Sequence, residues 1–215
     1  MSAAAQQRRS PRLLECMRTK LPPPIVVRGF LSEADIDDIF SFGREMQVVD
    51  GMGLVRYGST HVALWLHHGG VCDDGIWRSF EASHAVLLEK MLSRVRRCAH
   101  DAGLCLPSIH LNVRCIELHL YKAGGGLTDT GHYDQGSVLT LSVQLSPPGP
   151  NKNGGRFSTT DAYGVETVHE LARGDAIIFC SEQVHNVSTL ASGTERNSLV
   201  IELWEGRTNR RDRFK

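Results

Sequence analysis

His132 and Asp134, separated by one residue, form a pair whose side-chain types suit a metal site. On an extended strand, residues i and i+2 project from the same face, so this imidazole and carboxylate can bind one ion. The pair alone is weak evidence, because 10 His and 12 Asp in 215 residues give about half such a match by chance. A second imidazole, His185, follows 51 residues after Asp134, directly beyond an apolar run at 176–179. The three residues together make a two-His-one-carboxylate set.

Such a set leaves three positions of a six-coordinate ion open, as an iron(II) oxygenase requires. Further along, Arg196 and Ser198 stand at i and i+2 of an alternating segment in which Leu199, Ile201 and Leu203 are apolar. If the apolar residues pack against helices, Arg196 and Ser198 face the interior of the sheet structure. A guanidinium binds a carboxylate through two hydrogen bonds, and a hydroxyl can add a third. The sequence therefore predicts a metal centre beside a carboxylate-binding site.

The segments that carry these residues have the two-residue period of β-strands. Apolar and polar residues alternate at 139–145 and 198–203, and more loosely at 111–121, while 176–179 is wholly apolar after a turn at 173–175. Many short strands separated by Gly and Pro turns predict a sandwich or barrel.

Helices are predicted in the preceding half of the chain. A short strand at 25–27 precedes Ser32 and Asp35, which resemble a capping box that opens a helix ending near Met46. A strand is expected at 62–66. A long helix is expected at 77–102, because apolar residues recur there at helical spacing before Gly103.

Composition and charge are those of an ordinary globular protein. Apolar residues make up 41% of the chain, and 24 basic residues balance 24 acidic ones, so no membrane or nucleic-acid partner is expected. Residues 1–22 are interpreted as a disordered arm and 208–215 as a basic tail. The six cysteines form no C-x-x-C pair, which favours a reduced, intracellular protein, cytoplasmic or nuclear. The Arg-rich, acid-free beginning leaves an organelle transit peptide as the alternative.

Other candidate ligands were weighed against the leading set. His67 and His68, with Cys72, offer a second metal site, but their spacing matches no zinc pattern, and an exposed turn is the preferred interpretation. Asp129 is an alternative to Asp134. It is set aside because its position three residues before His132 shares no strand face with it.

An ordered set of residues over 111–205, with a weaker echo at 25–46, resembles the iron(II)- and 2-oxoglutarate-dependent dioxygenases, in their prolyl 4-hydroxylase-like branch. The matching positions are Arg114, Tyr121, Gly124, His132-x-Asp134, Gly154-Gly155-x-Phe157, Arg173-Gly174-Asp175-Ala176, Phe179-x-Ser181, His185-x-Val187, Gly193, Arg196 and Trp204.

The resemblance implies an α+β, mainly β fold: a double-stranded β-helix, or jelly roll, with supporting N-terminal helices. It implies one dioxygenase domain at 23–207, with helical support at about 23–108 and the jelly-roll core at about 109–205. His132, Asp134 and His185 match the iron ligands, and Arg196 matches the residue that binds the distal carboxylate of 2-oxoglutarate.

Three further positions are assigned to the co-substrate. Tyr121 corresponds to a tyrosine that contacts it in several relatives, and Ser198 lies beside Arg196. Relatives often carry Tyr-Leu-Asn on the strand after the H-x-D motif. This chain has Gln144-Leu145-Ser146 there, and Gln144 can donate the same hydrogen bond. The stretch 124–130 is longer than the resemblance leads one to expect and should border the substrate entrance.

The expected activity is hydroxylation of a C–H bond, preferably of a peptidyl prolyl residue, with release of succinate and CO2. Expected cofactors are Fe(II), 2-oxoglutarate and O2, with ascorbate as a candidate reductant. The alternatives are the same chemistry on a small metabolite or nucleobase, and a non-catalytic binding module of the same fold. Demethylases of nucleobases carry a further Arg where this chain has Glu202. The sequence does not indicate the oligomeric state.

Overall fold

Twelve strands and three helices make up the regular structure of the residues described by the computed structural model, which are 21–48, 54–68, 70–71, 77–104, 110–147 and 154–209. In chain order they are β1 Ile25–Val27, α1 Glu33–Val48, β2 Leu54–Arg56, β3 His61–Trp65, β4 Gly70–Val71, β5 Trp77–Arg78, α2 Phe80–Ser83, α3 Ala85–Asp101, β6 Asn112–Tyr121, β7 Leu139–Gln144, β8 Phe157–Thr160, β9 Glu166–His169, β10 Ala176–Cys180, β11 Val184–Val187 and β12 Arg196–Trp204. The predicted arm up to residue 20, the predicted tail from 210 onward, and Cys16, Cys72 and Cys105 lie outside these ranges.

The strands form two facing antiparallel sheets and one small hairpin. The large sheet has seven strands in the order β1-β10-β7-β12-β6-β3-β2, and the small sheet has the order β11-β8-β9. A bridge between Leu127 and Val187 extends the small sheet by one rung. Side chains from both sheets line one cavity, so the sheets enclose it. This arrangement is the predicted jelly roll.

Alternation along the strands of the large sheet separates its two faces. On β12, Leu199, Ile201 and Leu203 join the main apolar core, whereas Ser198 and Glu202 line the cavity. β7 and β6 follow the same rule, because successive side chains point to opposite faces. The predicted inward direction of Arg196 and Ser198 is confirmed.

The helices cover the outer face of the large sheet. Ile36, Ile39 and Phe42 of α1 are buried in the same core as Leu118 of β6. At Gly43 the helix comes so close to β6 that an added Cβ would lie 2.6 Å from Leu118 Cδ2.

The start of α1 has the predicted capping box. The Asp35 backbone N–H donates to Ser32 Oγ at 3.2 Å, and the Ser32 backbone N–H donates to Asp35 Oδ2 at 2.9 Å. These contacts satisfy donors that the first turn of a helix leaves without partners.

The single helix predicted at 77–102 is wrong in its first part. Trp77–Arg78 pair with β4, α2 begins after Ser79, whose Oγ accepts from the Ala82 N–H, and the chain leaves helical geometry at His84. The His84 ring stacks on Phe80 with centroids 5.0 Å apart and also contacts Phe42. The helix is therefore interrupted at His84, where the ring packs into the core, and the apolar periodicity of the sequence does not indicate this interruption.

The interpretation of His67 as part of an exposed turn is also wrong. His67 does lie in a turn, but it is buried, and its Nδ1 lies 3.0 Å from the Ile116 backbone N–H, which donates to it. In the described part of the chain, no helix is both long and apolar enough to cross a lipid bilayer.

Candidate metal centre and its cavity

His132 and Asp134 lie in the loop between β6 and β7, and not on a strand as predicted. The loop is nevertheless fixed to its neighbours by backbone hydrogen bonds. The His185 N–H donates to the His132 carbonyl at 3.1 Å, and the Asp134 N–H donates to the Ser181 carbonyl at 2.9 Å. These two bonds hold the H-x-D segment against β11 and the end of β10, which brings all three candidate ligands together.

The three donor groups are close enough to share one ion. His132 Nε2 lies 3.5 Å from Asp134 Oδ1, and His185 Nε2 lies 3.7 Å from Asp134 Oδ2. One donor atom from each residue lies within 4.8 Å of the others. Donors about 2.1 Å from an octahedral ion and at right angles to each other lie about 3 Å apart. A small contraction of this set therefore fits a metal ion.

Neighbouring groups orient two of the three candidate ligands. Thr140 Oγ1 donates to Asp134 Oδ2 at 2.7 Å and lies 2.9 Å from Ser181 Oγ. His185 Nδ1 lies 3.0 Å from the Gln183 carbonyl oxygen. Because a carbonyl only accepts, Nδ1 carries the proton and Nε2 is left as the metal-binding atom.

Apolar rings from both sheets, Phe179 of β10 and Phe157 of β8, lie beside His185. Its imidazole lies 4.8 Å from the Phe179 ring and 5.7 Å from the Phe157 ring, centroid to centroid. Both phenylalanines belong to a second, smaller apolar core. The His132 side chain, by contrast, is 25% exposed and marks the open side of the centre.

Arg196 is buried in the same cavity, with 3% of its surface exposed. Its Nη1 donates to Ser198 Oγ at 2.9 Å, while Nε and Nη2 have no hydrogen-bond partner among the described residues. Burial lowers the pKa of Arg196, but a guanidinium stays charged in proteins. Two buried donors on a cation are costly unless an anion binds them, so this side of the cavity suits a carboxylate.

Tyr121 lies beside this guanidinium, but Gln144 does not line the cavity. The Arg196 Cζ atom is 5.6 Å from the centroid of the buried Tyr121 ring. Burial raises the pKa of Tyr121 to about 12, so its hydroxyl is a proton donor at neutral pH. Gln144 Nε2 instead donates to the Ser146 carbonyl at 2.9 Å and to Ser146 Oγ at 3.1 Å. Of the predicted site residues, only Gln144 is directed elsewhere.

The Gly154-Gly155 turn explains part of the sequence pattern. Gly155 has φ +66°, and a Cβ there would lie 3.4 Å from Arg196 Cδ and 3.3 Å from Leu190 Cγ. An added Cβ at Gly154 would overlap the Thr189 carbonyl oxygen. The turn therefore packs directly behind the Arg196 side chain.

The cavity has a volume of about 480 Å³ and joins the metal centre to Arg196. Gly126, Leu127, Thr128 and Asp129 line it, so the stretch 124–130 borders the cavity as expected. Asp129 Oδ1 accepts a hydrogen bond from the Gly131 N–H at 3.1 Å. The arrangement can hold a metal ion and an anionic ligand in one enclosure.

One wall of the cavity carries residues that were not predicted to belong to the site. Glu117 and His119 of β6 and His61 of β3 line it. The i, i+2 spacing of Glu117, His119 and Tyr121 along one strand was the available signal. Nothing in the local sequence links His61 to this wall, since it is 58 residues from His119.

A second group of buried possible ligands, Cys115, Glu117 and Glu202, lies at the same wall. Glu202 Oε2 accepts hydrogen bonds from Ser137 Oγ at 2.6 Å and Arg114 Nη1 at 3.2 Å. A β-bulge between Glu202 and Leu203 makes Arg114 the extra residue of β6 and directs it to this carboxylate. Glu202 is therefore part of a buried ion pair with Arg114.

Comparisons with known proteins agree with this geometry. No protein-family model and no curated protein matches the chain. Among solved structures, the chain is similar to an oxidoreductase of the 2OG-Fe(II) oxygenase family from Burkholderia pseudomallei, with 13% identity, a TM-score of 0.63 and 95% of each chain covered.

Two other solved structures carry ligands. A prolyl hydroxylase from Trichoplax adhaerens, in complex with a peptide fragment of the hypoxia inducible factor oxygen degradation domain, is 11% identical, with a TM-score of 0.60 over 90% of this chain and 91% of that one. The epimerase SnoN, in complex with Fe3+, alpha ketoglutarate and nogalamycin RO, is 13% identical, with a TM-score of 0.55 over 91% and 84%. These likenesses show that the chain has the fold of the 2OG-Fe(II) oxygenases.

Proposed function

We propose that the chain is an iron(II)- and 2-oxoglutarate-dependent dioxygenase that hydroxylates a C–H bond and releases succinate and CO2. The observation that carries this proposal is one cavity with two complementary sites. It holds a His132, Asp134 and His185 donor set and the buried guanidinium of Arg196, whose Nε and Nη2 have no hydrogen-bond partner in the part of the chain that the structure describes. The fold shared with 2OG-Fe(II) oxygenases supports the same conclusion.

Each side chain has a distinct task in this proposal. His132, Asp134 and His185 would hold the iron, which with 2-oxoglutarate and O2 supplies the oxidising chemistry when bound. The Nε and Nη2 groups of Arg196 would bind the distal carboxylate of the co-substrate. Ser198 fixes the guanidinium through Nη1, and the protonated Tyr121 hydroxyl is available as a further donor.

The substrate side of the proposal is a peptidyl side chain, prolyl in the first instance. The exposed side of His132 and the cavity-lining stretch 126–129 give such a substrate access to the metal centre. The peptide complex of the similar Trichoplax prolyl hydroxylase supports this choice. We keep ascorbate as the candidate reductant.

A small-molecule substrate is the second candidate. The polar wall formed by His61, Glu117 and His119 offers hydrogen-bonding groups within the cavity, and the similar epimerase SnoN binds nogalamycin RO. A nucleobase has less support, because Glu202 stands where nucleobase demethylases carry a further Arg, and Glu202 is paired with Arg114. A non-catalytic binding module would have no use for a complete set of metal-binding donors.

The proposal also covers the remaining expectations. One catalytic domain would span 23–207, with residues up to 108 supporting the jelly-roll core at about 109–205. An intracellular location in the cytoplasm or nucleus remains part of the proposal, because the six cysteines form no C-x-x-C pair and no framework spacing.

The decisive test is titration of 2-oxoglutarate into the anaerobic, iron-loaded protein. The metal-to-ligand charge-transfer band reports binding. Loss of the bidentate, buried pair in Arg196→Ala should weaken binding roughly 30-fold to several-thousandfold, whereas Arg196→Lys should retain part of it. Equal affinity in wild type and Arg196→Ala would remove Arg196 as the anchor and weaken the case for 2-oxoglutarate.

Substrate class is tested separately by succinate release. Succinate release by the wild-type protein is measured in turn with proline peptides, free amino acids and methylated oligonucleotides as the substrate. Proline peptides are expected to stimulate succinate release. Stimulation by free amino acids alone would favour a small-molecule substrate.

A further inference from the structure

His61, Tyr121 and Arg196 form one row across three neighbouring strands of the large sheet. His61 on β3 is directly opposite Tyr121 on β6, and Tyr121 is directly opposite Arg196 on β12. All three side chains line the cavity. Directly opposed side chains on one sheet face are the closest cross-strand neighbours, so each can fix the position of the next.

The contacts along this row are close. The His61 and Tyr121 rings are stacked, with centroids 4.0 Å apart and planes 20° apart. Tyr57 stacks on the same imidazole at 4.7 Å. The Arg196 Cζ atom lies 5.6 Å from the Tyr121 centroid, within the range of a cation–π contact. Tyr121 therefore contacts His61 and the guanidinium at once.

A hydrogen-bonded chain fixes the His61 ring. His61 Nε2 lies 2.9 Å from His119 Nδ1, and His119 Nε2 lies 3.0 Å from Glu117 Oε2. An ionised carboxylate only accepts, so His119 donates through Nε2, and one proton between His119 Nδ1 and His61 Nε2 forms the second hydrogen bond. The chain holds the His61 imidazole in one orientation against Tyr121.

Burial also keeps His61 uncharged. Burial, the neighbouring His119 and the charge of Arg196 lower the pKa of His61 to about 3, against a smaller opposing effect of Glu117. A neutral ring can pack in this row without repelling the guanidinium.

Arg196 needs such support, because within the described ranges its guanidinium makes a single hydrogen bond, from Nη1 to Ser198 Oγ. We propose that His61 is a positioning residue which, through the Tyr121 ring, holds the Arg196 guanidinium in the orientation that binds the distal carboxylate of the co-substrate. This inference rests on the proposed function. It predicts that His61 affects the affinity for 2-oxoglutarate only through that carboxylate.

The test compares two 2-oxo acids in anaerobic, iron-loaded protein. One is 2-oxoglutarate, and the other is 2-oxopentanoate, which has the same chain length but no distal carboxylate. His61→Leu, which removes the stacked ring, should weaken 2-oxoglutarate binding about three- to tenfold and leave 2-oxopentanoate binding unchanged. A general structural defect would weaken both ligands alike, and that result would overturn the inference.

Two matched variants separate the ring from its hydrogen bond. His61→Phe keeps an aromatic ring but loses the bond to His119, and should bind 2-oxoglutarate within about twofold of wild type. His61→Gln keeps a donor for His119 but has no ring, and should behave like His61→Leu. The reverse order would overturn the inference, and these two variants decide it if His61→Leu does not fold.

Arg196→Ala serves as the control for the proposed function. In that variant 2-oxoglutarate should lose its advantage over 2-oxopentanoate. If wild-type protein itself binds both acids equally, the proposed anchor fails and the inference fails with it. If Arg196→Ala behaves as expected but His61→Leu and His61→Gln match wild type, only the role of His61 is refuted.

Discussion

At the scale of single residues, the Asp134 carboxylate is the most closely constrained group of the candidate centre. Its Oδ2 accepts from Thr140 Oγ1 at 2.7 Å, its backbone N–H is bound to Ser181, and only 3% of the residue is exposed. The carboxylate therefore cannot shift without breaking buried hydrogen bonds, and its position relative to His132 and His185 is fixed.

Asp134→Glu should reduce turnover at least about 100-fold, because one added methylene misplaces the carboxylate by about 1 Å in a rigid surrounding. Asp134→Ala should be inactive. Succinate formation under saturating 2-oxoglutarate measures both. Asp101→Glu, the same change on an exposed carboxylate at the end of α3, is the matched control. Wild-type kinetics in Asp134→Glu would show that Asp134 does not bind the metal.

His132→Ala and His185→Ala should each abolish turnover and weaken iron binding, since two remaining ligands hold iron(II) poorly. Far-UV circular dichroism should stay that of wild type, because the phenylalanine rings that contact His185 belong to the smaller core and not to the main core. Iron content after gel filtration is the measurement, with His100→Ala on the exposed end of α3 as control. Retained iron together with full activity in either variant would contradict the metal assignment.

At the scale of elements, Asp175 joins the N-terminal strand to the jelly roll. Its Oδ2 accepts from Arg28 Nη1 at 2.6 Å and from the Ala172 N–H at 2.9 Å, and its Oδ1 accepts from the Gly29 N–H at 2.9 Å. Burial alone would raise the pKa of Asp175, but these hydrogen bonds and the charge of Arg28 hold it below its usual value.

Because its pKa is lowered in the folded state, ionised Asp175 stabilises the protein at pH values above its unfolded pKa of about 3.9. This contribution is lost as the pH falls through the lower pKa of the folded state. Asp175→Asn should therefore lower Tm at pH 7, by about 3–10 °C for a loss of 1–3 kcal/mol. The difference from wild type should shrink below about pH 4.

Differential scanning calorimetry from pH 7 to pH 3 measures this effect. Asp37→Asn is the control, because the Asp37 side chain is 77% exposed and its nearest pairing, with Arg173, spans 3.8 Å. That variant should change Tm by no more than about 2–4 °C. A Tm difference for Asp175→Asn that stays constant with pH would contradict the assigned role.

At the scale of the whole molecule, two apolar cores carry the fold, and we expect it to form without a metal ion. The main core joins the helices to the outer face of the large sheet, and the smaller core lies between the sheets. Backbone hydrogen bonds tie the loop of His132 and Asp134 to β11 and to the end of β10. We therefore expect the site to be formed before metal binds.

Removal of metal by a chelator should leave the protein folded, with unchanged far-UV circular dichroism. Addition of Fe(II) and 2-oxoglutarate, each at about 100 times its Kd, should raise Tm by about 10–20 °C under anaerobic conditions. Arg196→Ala should lose the part of this increase that 2-oxoglutarate causes. Cooperative unfolding on chelation alone would show that the centre is structural.

The local sequence was sufficient for the long strands β6, β7 and β12 and for the direction of their side chains. Alternation on β12 placed Leu199 and Ile201 in the core and Arg196 and Ser198 in the cavity, because successive residues of a strand point to opposite faces. The capping box at Ser32 likewise depends on contacts within one turn. Such features were predictable because the interacting residues are near neighbours in the chain.

Only the tertiary structure decided which distant residues meet. The H-x-D segment occupies a loop that backbone hydrogen bonds hold against β11. Gln144 donates to Ser146 and does not line the cavity, although other residues of β7 do. The row of His61, Tyr121 and Arg196 exists because β3, β6 and β12 pair in one register. Strand register depends on packing over the whole sheet, and no local pattern in the sequence encodes the pairing of residues 60 or more positions apart.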